Sequence, residues 1–418
     1  MPVRTYHDPL HLGISLESER PEESMVMDLI DSSPFQRLRR IRQLGPASFT
    51  FHGAESSRFT HSIGVFHIAR RAINKLIKCD PQLKQYRGLL YASALLHDIG
   101  HGPLSHTSEE MFGINHEKWS ALIVRDHSEV KGILNSYGIT SPKEVADLLE
   151  KNISPRKVIK TLVSSQLDCD RIDYLLRDSY STGTNYGQID LERILSALTL
   201  APDGDLAIQP KGVMAIEHYL VVRNLMYRSV YNHRLNEVCN WILERIVRTV
   251  RQLGPSNVWA DECMKEWLWS TKDMSIKSFL DNDDNRINYH LMNWKESNHK
   301  DLSELCNRLI NRVLLQAIDI SYLNNEKQLE ALAIAMNIAK KNKIDPENCC
   351  GLRHQKHYGY YPYRGGLRLW DGIKLNALEQ VSPLVKGLIT PVNSALLIHP
   401  KEIHEVLSDE IKRLCIIS

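Results

Sequence analysis

The chain has 418 residues, of which 43% are hydrophobic and 24% charged, a composition typical of globular proteins with a large core. The formal net charge is only +2, which argues against a surface dedicated to nucleic acid but allows a local basic pocket. No secretory signal opens the chain, the apolar run ALAIAMNIA (331–339) is too short to cross a membrane, and the eight cysteines form no CxxC pair. A cytoplasmic protein with reduced thiols is therefore predicted.

Helical patterning dominates the first 270 residues. Apolar residues recur at helical spacing in 63–77 and 91–99. Ser141-Pro142-Lys143-Glu144 has the form of a capping box with proline at the first helical position, which predicts a helix start. Ser154-Pro155 predicts the start of a further helix that continues toward LDCDRIDYLLRDS, and a long helix is predicted over 213–252, ended by Gly254-Pro255.

The pattern changes near residue 345. The stretch GYYPYRGGLRLWDGIKL (359–375) has alternating aromatics, an adjacent Gly-Gly pair and an Asp-Gly pair, which predicts a hairpin whose rings pack on the helical part rather than on nucleic-acid bases. A strand at 395–400 and a final helix follow. The predicted fold is mostly α: a helical domain over 1–270, a helical bridge over 271–343 and a small α/β lobe over 344–418.

The stretch LLHDIGHGPLSH (95–106) places His97, Asp98, His101 and His106 at the end of an apolar, helix-like run. Consecutive helical residues point about 100° apart, so His97 and Asp98 can both reach an ion beside the helix end. His101, four residues after His97, is predicted to lie on the same helical face. If His97 and Asp98 are considered alone, the simpler interpretation is that His97 is a core residue and that the His-Asp dipeptide arises by chance.

Other parts of the chain favour the metal interpretation. His61 in SRFTHSIGV and Asp170 in QLDCDRIDYLLRD supply two further ligands, and Gly100 and Gly102 are predicted to keep side chains away from a bound group. Two imidazoles and two carboxylates suit a divalent metal such as Mn, Fe, Co or Ni, with Mg as an alternative and water at the open positions.

Longer strings carry a resemblance to a known family. The strings SRFTHSIGV, HDIGHGPLSH, INHEKWS, DCDRIDYLLRD and VVRNLMYRSVYNH are similar to the deoxynucleoside triphosphate triphosphohydrolase branch of the HD-domain phosphohydrolases, over about residues 25–320. The resemblance implies an HD-domain helical core, a divalent metal on His61, His97, Asp98 and Asp170, and hydrolysis of dNTPs to deoxynucleoside and inorganic triphosphate. Such an activity would lower dNTP pools, in nucleotide homeostasis or in defence against phage.

The resemblance also implies roles for residues around the metal. The implied catalytic and triphosphate-binding residues are His106 as general acid, Glu109 as its partner, and His101, His116, Arg58, Arg171, Tyr174 and Arg223 as phosphate ligands. The implied sugar and base pocket consists of Gln43, Leu44, Asp178, Tyr227 and Tyr231. Arginine forks and imidazolium groups suit a polyanionic triphosphate. Tyr231 would occupy the place of a 2′-hydroxyl and exclude ribonucleotides.

Regulation is implied by the same resemblance. Family members bind a GTP or dNTP effector between the subunits of a homo-oligomer, here expected to be a dimer or tetramer. The matching residues are Asp31, Gln36 and Arg39 at one effector site, and Lys211, His233, Arg234 and Arg312 at a second. Gln209 and Gln316 replace basic residues of the family, and Glu109, Arg171 and Tyr227 also depart from the animal pattern. Activation and constant activity therefore remain open alternatives.

Two other functions compete with dNTP hydrolysis. A phosphodiesterase or exonuclease acting on single-stranded nucleic acid would use the same metal cluster, although the near-neutral charge and the pocket around Gln43 and Tyr231 argue against it. A nucleotide-binding regulatory protein with a degenerate site would not need the full set of ligands and catalytic groups.

Overall fold

The chain begins with a hairpin that the sequence analysis did not predict. In the computed structural model, which describes residues 3–151, 153–362 and 366–416, β1 (Val3–Asp8) pairs antiparallel with β2 (Leu12–Glu17). Ile14 and Leu16 of β2 are fully buried, whereas most other residues of the hairpin are exposed. The hairpin therefore packs through one apolar face of β2 onto the helices that follow.

Helices contain most of the remaining chain, which confirms the predicted fold class. The first group is α1 Pro21–Asp31, α2 Ser33–Arg37, α3 Arg58–Leu76, α4 Arg87–Leu96, α5 Thr107–Phe112, α6 His116–Asp126, α7 Ser128–Tyr137, α8 Pro142–Lys151, α9 Lys157–Val163, α10 Cys169–Thr182, α11 Leu191–Ala197, α12 Val213–Met226 and α13 Arg234–Leu253. The second group is α14 Glu262–Trp269, α15 Ile276–Leu280, α16 Asp284–Lys295, α17 Lys300–Ile310, α18 Asn325–Lys341, α19 Pro346–Cys349, α20 Leu378–Val381, α21 Pro383–Gly387 and α22 His404–Ile416.

The capping box is confirmed at the start of α8. The Ser141 backbone N–H donates to Glu144 Oε2 at 2.9 Å, and the Glu144 N–H donates back to Ser141 Oγ at 3.2 Å. The predicted periodic segments 63–77 and 91–99 fall largely in α3 and α4. Local apolar periodicity and caps thus determine these helices.

Three helix predictions need correction. The helix expected from Ser154-Pro155 is two helices, because Asp168 caps α10 and breaks the chain's path after α9. The helix expected over 213–252 is interrupted by a π-helical turn, Tyr227–Tyr231. α4 ends at Leu96, so His101 lies in the following loop and not one turn further along the same helix.

The sheets are small. The remaining strands are β3 Leu198–Leu200, β4 Leu206–Ile208, β5 Gln316–Asp319, β6 Gly351–His357, β7 Arg368–Trp370, β8 Leu375–Ala377 and β9 Val392–His399. The predicted hairpin is confirmed as β7 and β8, although the aromatic residues before 363 precede its strands and 363–365 lie outside the described residues. β7 also pairs in parallel with β4, which fastens the hairpin to the helical part.

Two apolar cores divide the described residues. The larger core spans α1 to α17 and also contains Ile14 and Leu16 of β2 and C-terminal residues such as Tyr360, Leu378 and Val385. The smaller core joins α18 and α22 to the sheet in which β9 lies between β5 and β6. The domain boundaries stay predictions; because residues 320–339 contribute to the smaller core, we propose that the C-terminal lobe begins near residue 315. Among the described residues, no helix is both long enough and apolar enough to span a bilayer.

Candidate functional site

Three helices bring the predicted metal ligands together. His61 lies near the start of α3, His97 follows α4 directly, and Asp170 lies in the first turn of α10. His61 Nε2 is 3.0 Å from Asp170 Oδ1 and 3.5 Å from Asp98 Oδ2. His97 Nε2 is 3.3 Å from Asp98 Oδ1 and 3.6 Å from Asp170 Oδ1. Two imidazole nitrogens and two carboxylates therefore face one small volume.

The protonation pattern of this cluster fits a metal ion. His61 Nδ1 donates to Asp173 Oδ2 at 2.8 Å and His97 Nδ1 donates to the Ala94 carbonyl at 3.0 Å, which leaves both Nε2 atoms as ligand atoms. His97 Nε2 is buried and has no hydrogen-bond partner among the described residues. Although burial lowers it, bonds to Asp170 and Asp173 raise the pKa of His61 to about 10. The carboxylates of Asp98, Asp170 and Asp173 thus place an excess of negative charge around this imidazole, which favours the binding of a cation.

Arg58 lies beside the cluster. Its buried guanidinium donates to Asp98 Oδ2 and, at 2.9 Å, to Ser105 Oγ. Although burial favours the neutral acid, Arg58 and the imidazoles of His97 and His101 hold the pKa of Asp98 well below its usual range. The resemblance implied that Arg58 binds phosphate; in the structure it lines the pocket while already paired with Asp98.

A second group consists of three histidines around Glu109. Glu109 Oε1 lies 2.8 Å from Nδ1 of both His106 and His116, and the His101 ring stacks on His116 with centroids 4.0 Å apart. Although burial would raise it, bonds from the two imidazoles lower the pKa of Glu109 to about 2. Burial, with the charges of Arg58 and His116, lowers the pKa of His101 well below its usual range. The His106 side chain is 69% exposed, so its Nε2 is available to a bound molecule.

Gly100 and Gly102 serve packing instead of a ligand. A Cβ on Gly100 would lie 2.2 Å from the Ser120 backbone nitrogen, and one on Gly102 would lie 2.5 Å from Ser108 Oγ. The two glycines thus let the loop after α4 approach α6 and α5 closely. This packing holds His97 and His106 at a fixed separation.

Two arginines form the basic side of the site. Arg171 pairs with Asp168, whose carboxylate also caps α10. Arg223 is buried, and its Nε and Nη1 atoms have no hydrogen-bond partner among the described residues. Its guanidinium carbon lies 5.8 Å from the Tyr227 ring centroid. Because buried charges are normally paired, Arg223 favours an anionic ligand nearby.

The residues predicted for the sugar also meet. The Tyr231 hydroxyl donates to Asp178 Oδ2 at 2.9 Å, and the Tyr231 ring meets those of Tyr174 and Tyr227 edge-on. Asp178 Oδ1 and Gln43 Oε1 are buried without a hydrogen-bond partner among the described residues. Burial raises the pKa of Asp178 to about 7. These free polar atoms suit hydroxyl groups of a ligand.

One cavity of about 380 Å³ joins these groups. Its predicted lining residues are Gln43, Leu44, Arg58, His97, Asp98, His101, His106, His116, Asp170, Arg171, Tyr174, Asp178, Tyr227 and Tyr231. His61, Glu109 and Arg223 do not line it. The cavity is also lined by residues that were not predicted as site residues: Glu117, Leu148, Leu149, Val163, Ser164 and Asp168. Of these, Glu117 lies in the string INHEKWS and Asp168 begins the DxD spacing of DCDRIDYLLRD, whereas the other four carried no signal.

The candidate effector residues fall into separate groups. Asp31 pairs with Arg4, and Gln36 Oε1 accepts from Arg39 Nε at 2.8 Å. Arg312 Nε donates to the Phe49 carbonyl at 2.9 Å, and the ring of His233 contacts that of Phe51. Arg234 opens α13, and Lys211 lies in the turn Pro210–Gly212 before α12. Their role as effector ligands stays a prediction.

Comparisons with known proteins agree with this site. The family model for the HD domain matches residues 58–178, which contain all four candidate metal ligands, and the family model for the HD associated region matches residues 189–393. The uncharacterized protein YwfO of Bacillus subtilis is 34% identical over 365 residues, covering 87% of this chain and 82% of that protein.

Two further similarities concern function and structure. The deoxynucleoside triphosphate triphosphohydrolase SAMHD1 homolog of Dictyostelium discoideum is 30% identical over 237 residues, covering 52% of this chain and 45% of that protein, so this chain spans about half of that relative. The crystal structure of a phosphohydrolase from Bacteroides thetaiotaomicron superposes with a TM-score of 0.83 at 26% identity, covering 96% of this chain and 100% of that one. The chain therefore belongs to the HD-domain dNTPase-like family of metal-dependent hydrolases.

Proposed function

We propose that the chain hydrolyses dNTPs to deoxynucleoside and inorganic triphosphate. The observation that carries this proposal is the cavity itself, because it joins a metal cluster, a basic side and a set of free hydroxyl-binding atoms in one volume of about 380 Å³. A nucleoside triphosphate presents the matching groups: a phosphate that reacts, phosphates that need cations, and a sugar with hydroxyls.

The triphosphate would bind to the basic side. Arg171 lines the cavity, is held by Asp168 and can form charge-assisted bonds to phosphate oxygens. Arg223 lies behind the cavity lining beside Tyr227, where the charge of its two nitrogens without a partner among the described residues would favour the same phosphates. His116 adds an imidazole whose Nδ1 is fixed by Glu109. Tyr174 lines the cavity with its ring against that of Tyr231, and its hydroxyl can donate to a phosphate oxygen.

His106 would protonate the leaving group. Water attacks the α-phosphorus, the bond from that phosphorus to the 5′ oxygen breaks, and the His106 Nε2 proton passes to this oxygen. The attacking water keeps one proton as the new hydroxyl of the triphosphate and releases the other to solvent, from which His106 is protonated again. Glu109 at 2.8 Å fixes the Nδ1 proton of His106 and stabilises the imidazolium. A divalent ion held by His61, His97, Asp98 and Asp170 would neutralise charge that develops on the phosphoryl oxygens.

The sugar would bind at Asp178. Asp178 Oδ1 and Gln43 Oε1 are free to accept hydrogen bonds from a 3′-hydroxyl. The Tyr231 ring is fixed in place by its bond to Asp178, and it would leave no room for a 2′-hydroxyl. Exclusion of one hydroxyl by a rigid ring favours deoxyribonucleotides.

Product analysis in labelled water tests the proposal. The chain is incubated with Mn²⁺ and each dNTP in ¹⁸O water, and the products are separated and weighed by mass spectrometry. We expect deoxynucleoside and a triphosphate that carries the label. The His97→Ala, Asp98→Ala double variant is the control and should be inactive. Release of pyrophosphate and monophosphate, or cleavage of single-stranded DNA with intact dNTPs, would reject the proposal, the second result in favour of a phosphodiesterase.

We also propose that the chain forms homo-oligomers whose activity responds to GTP or a dNTP. The support is the match of Asp31, Gln36 and Arg39, which lie at the end of α1, in α2 and directly after α2, to effector residues of the animal members of the family. Activity should rise when GTP is added at constant substrate, and light scattering should show a larger mass. Specific activity that is independent of dilution and of GTP would reject activation.

A further inference from the structure

The N-terminal hairpin contacts a residue that supports the candidate metal ligand His61. His11 lies in the turn between β1 and β2, and its Nε2 is 2.6 Å from Asp173 Oδ1. The other oxygen of Asp173 accepts the Nδ1 proton of His61 at 2.8 Å. One carboxylate therefore joins the hairpin turn to an imidazole of the metal cluster. The His11 and Asp173 side chains are 3% and 0% exposed, so water does not compete for this contact.

Asp8 completes a closed network around Asp173. Arg177 donates to both oxygens of Asp173, through Nε at 2.8 Å and Nη2 at 3.1 Å, and its Nη1 donates to Asp8 Oδ2 at 2.9 Å. The other oxygen of Asp8 accepts the backbone N–H groups of Leu10 and His11. Asp8 thus shapes the turn that presents His11 and also holds Arg177.

The helix that carries His61 is shaped to admit this network. A Cβ on Gly64, one turn after His61, would lie 2.0 Å from Asp173 Oδ1 and 2.5 Å from Arg177 Nη2. Only glycine leaves the space that Asp173 and Arg177 occupy. The close approach brings the carboxylate to the edge of α3, where it can meet His61 Nδ1.

Docking of the hairpin does not by itself require these polar contacts. Ile14 and Leu16 already form a buried apolar face of β2. Burying an imidazole, a guanidinium and two carboxylates costs free energy that pairing only partly offsets, so a purely structural contact would be served as well by apolar residues. The network instead fixes the orientation of His61, since all four N–H donors converge on one carboxylate.

We propose that the hairpin is a working part of the metal centre, with His11 and Asp8 as positioning residues that act on His61 through Asp173. The proposal rests on the proposed function only in taking His61 as a metal ligand. Loss of groups that orient a ligand from behind typically weakens metal binding about 10–100-fold. Removal of the His11 N–H should weaken it toward the lower end, because Arg177 still holds Asp173.

Direct metal titration tests this proposal. The full chain is freed of metal with a chelator and titrated with Mn²⁺, and free Mn²⁺ is measured by electron paramagnetic resonance. His11→Phe keeps a ring but removes the donor, and we expect the Kd for Mn²⁺ to rise about tenfold. His11→Gln places an N–H at a similar reach and should restore most of the affinity. His7→Phe, at an exposed position of the same hairpin, should bind as the unaltered chain does.

Thermal unfolding of the metal-free variants separates positioning from folding. An unchanged Kd in His11→Phe would overturn the proposal, as would a Kd that rises equally in His11→Phe and His11→Gln in step with lost thermal stability. If His11→Phe does not fold, the Kd of Asp8→Asn for Mn²⁺ is measured in its place. This variant weakens the bond from Arg177 to residue 8, and we expect its Kd to rise. Because no nucleotide is used, a chain whose Mn²⁺ affinity depends on His11 but which leaves dNTPs intact would refute only the proposed function.

Discussion

Replacing Asp178 by asparagine tests what a charged group in the sugar pocket costs the fold. Burial raises the pKa of Asp178 from 3.8 to about 7. At about 1.36 kcal/mol per pKa unit, the ionised carboxylate destabilises the folded chain by about 4 kcal/mol once the pH is well above 7. Between these two pKa values the folded chain holds a proton that the unfolded chain has lost, so stability falls as the pH rises through this window. An asparagine carries no such penalty and still accepts the Tyr231 proton.

Thermal and urea unfolding of the metal-free proteins measures the effect. We expect the asparagine variant to be more stable than the unaltered chain, by a margin that grows by about 3 kcal/mol between pH 5 and pH 8. Asp284, whose pKa burial raises to about 6, titrates in both proteins and cancels in the comparison. The variant should lose about 10–100-fold in kcat/KM, since a charged hydrogen bond is worth roughly 1.5–3 kcal/mol. A stability margin that does not change with pH would refute the reasoning.

Three further substitutions separate the parts of the site. His106→Gln should lower kcat by about 10²–10⁴-fold without changing the Kd for Mn²⁺, and a fully active variant would remove His106 as the general acid. Tyr231→Ala should raise ribonucleotide turnover relative to deoxyribonucleotide turnover by about tenfold or more, measured as the ratio of kcat/KM values; an unchanged ratio would contradict its role at the 2′ position. Gly64→Ala should both lower the melting temperature and weaken Mn²⁺ binding, because its Cβ meets Asp173; Gly132→Ala, where a Cβ has open space, is the control.

The sequence predicted those parts of the fold that depend on local patterns. Apolar periodicity located α3 and α4, and the reciprocal bonds of Ser141 and Glu144 were legible as a capping box. The breaks at 164–168 and 227–233 were not predicted, because neither segment contains a glycine or proline that would mark a helix end. In the first, the Asp168 side chain caps α10, and in the second a π-helical turn carries Tyr227 and Tyr231, which both line the cavity.

The site was predictable where one motif contains both the residue and its chemistry. His97 and Asp98 stand side by side, and Asp170 lies in the charged string DCDRIDYLLRD that carries the family resemblance. The supporting residues were not, because their partners are remote: His11 and Asp173 are separated by 162 residues. Asp173 had a weak signal in its position three residues after Asp170. His11 had none, since a single histidine in a turn carries no pattern.

The charges around the cavity indicate in which orientation a substrate would bind. The carboxylates of Asp98 and Asp170 lie where a cation would bind, and Arg58 already balances one of them. Arg223 is not balanced, because two of its buried nitrogens lack a partner among the described residues. The outer phosphates of a nucleotide would therefore lie at Arg171, which lines the cavity on the side of Arg223, while its sugar lies at Asp178. With the sugar and the outer phosphates bound in this way, the α-phosphate would lie beside the candidate metal ligands, so we expect cleavage at the 5′ oxygen and not between the β- and γ-phosphates.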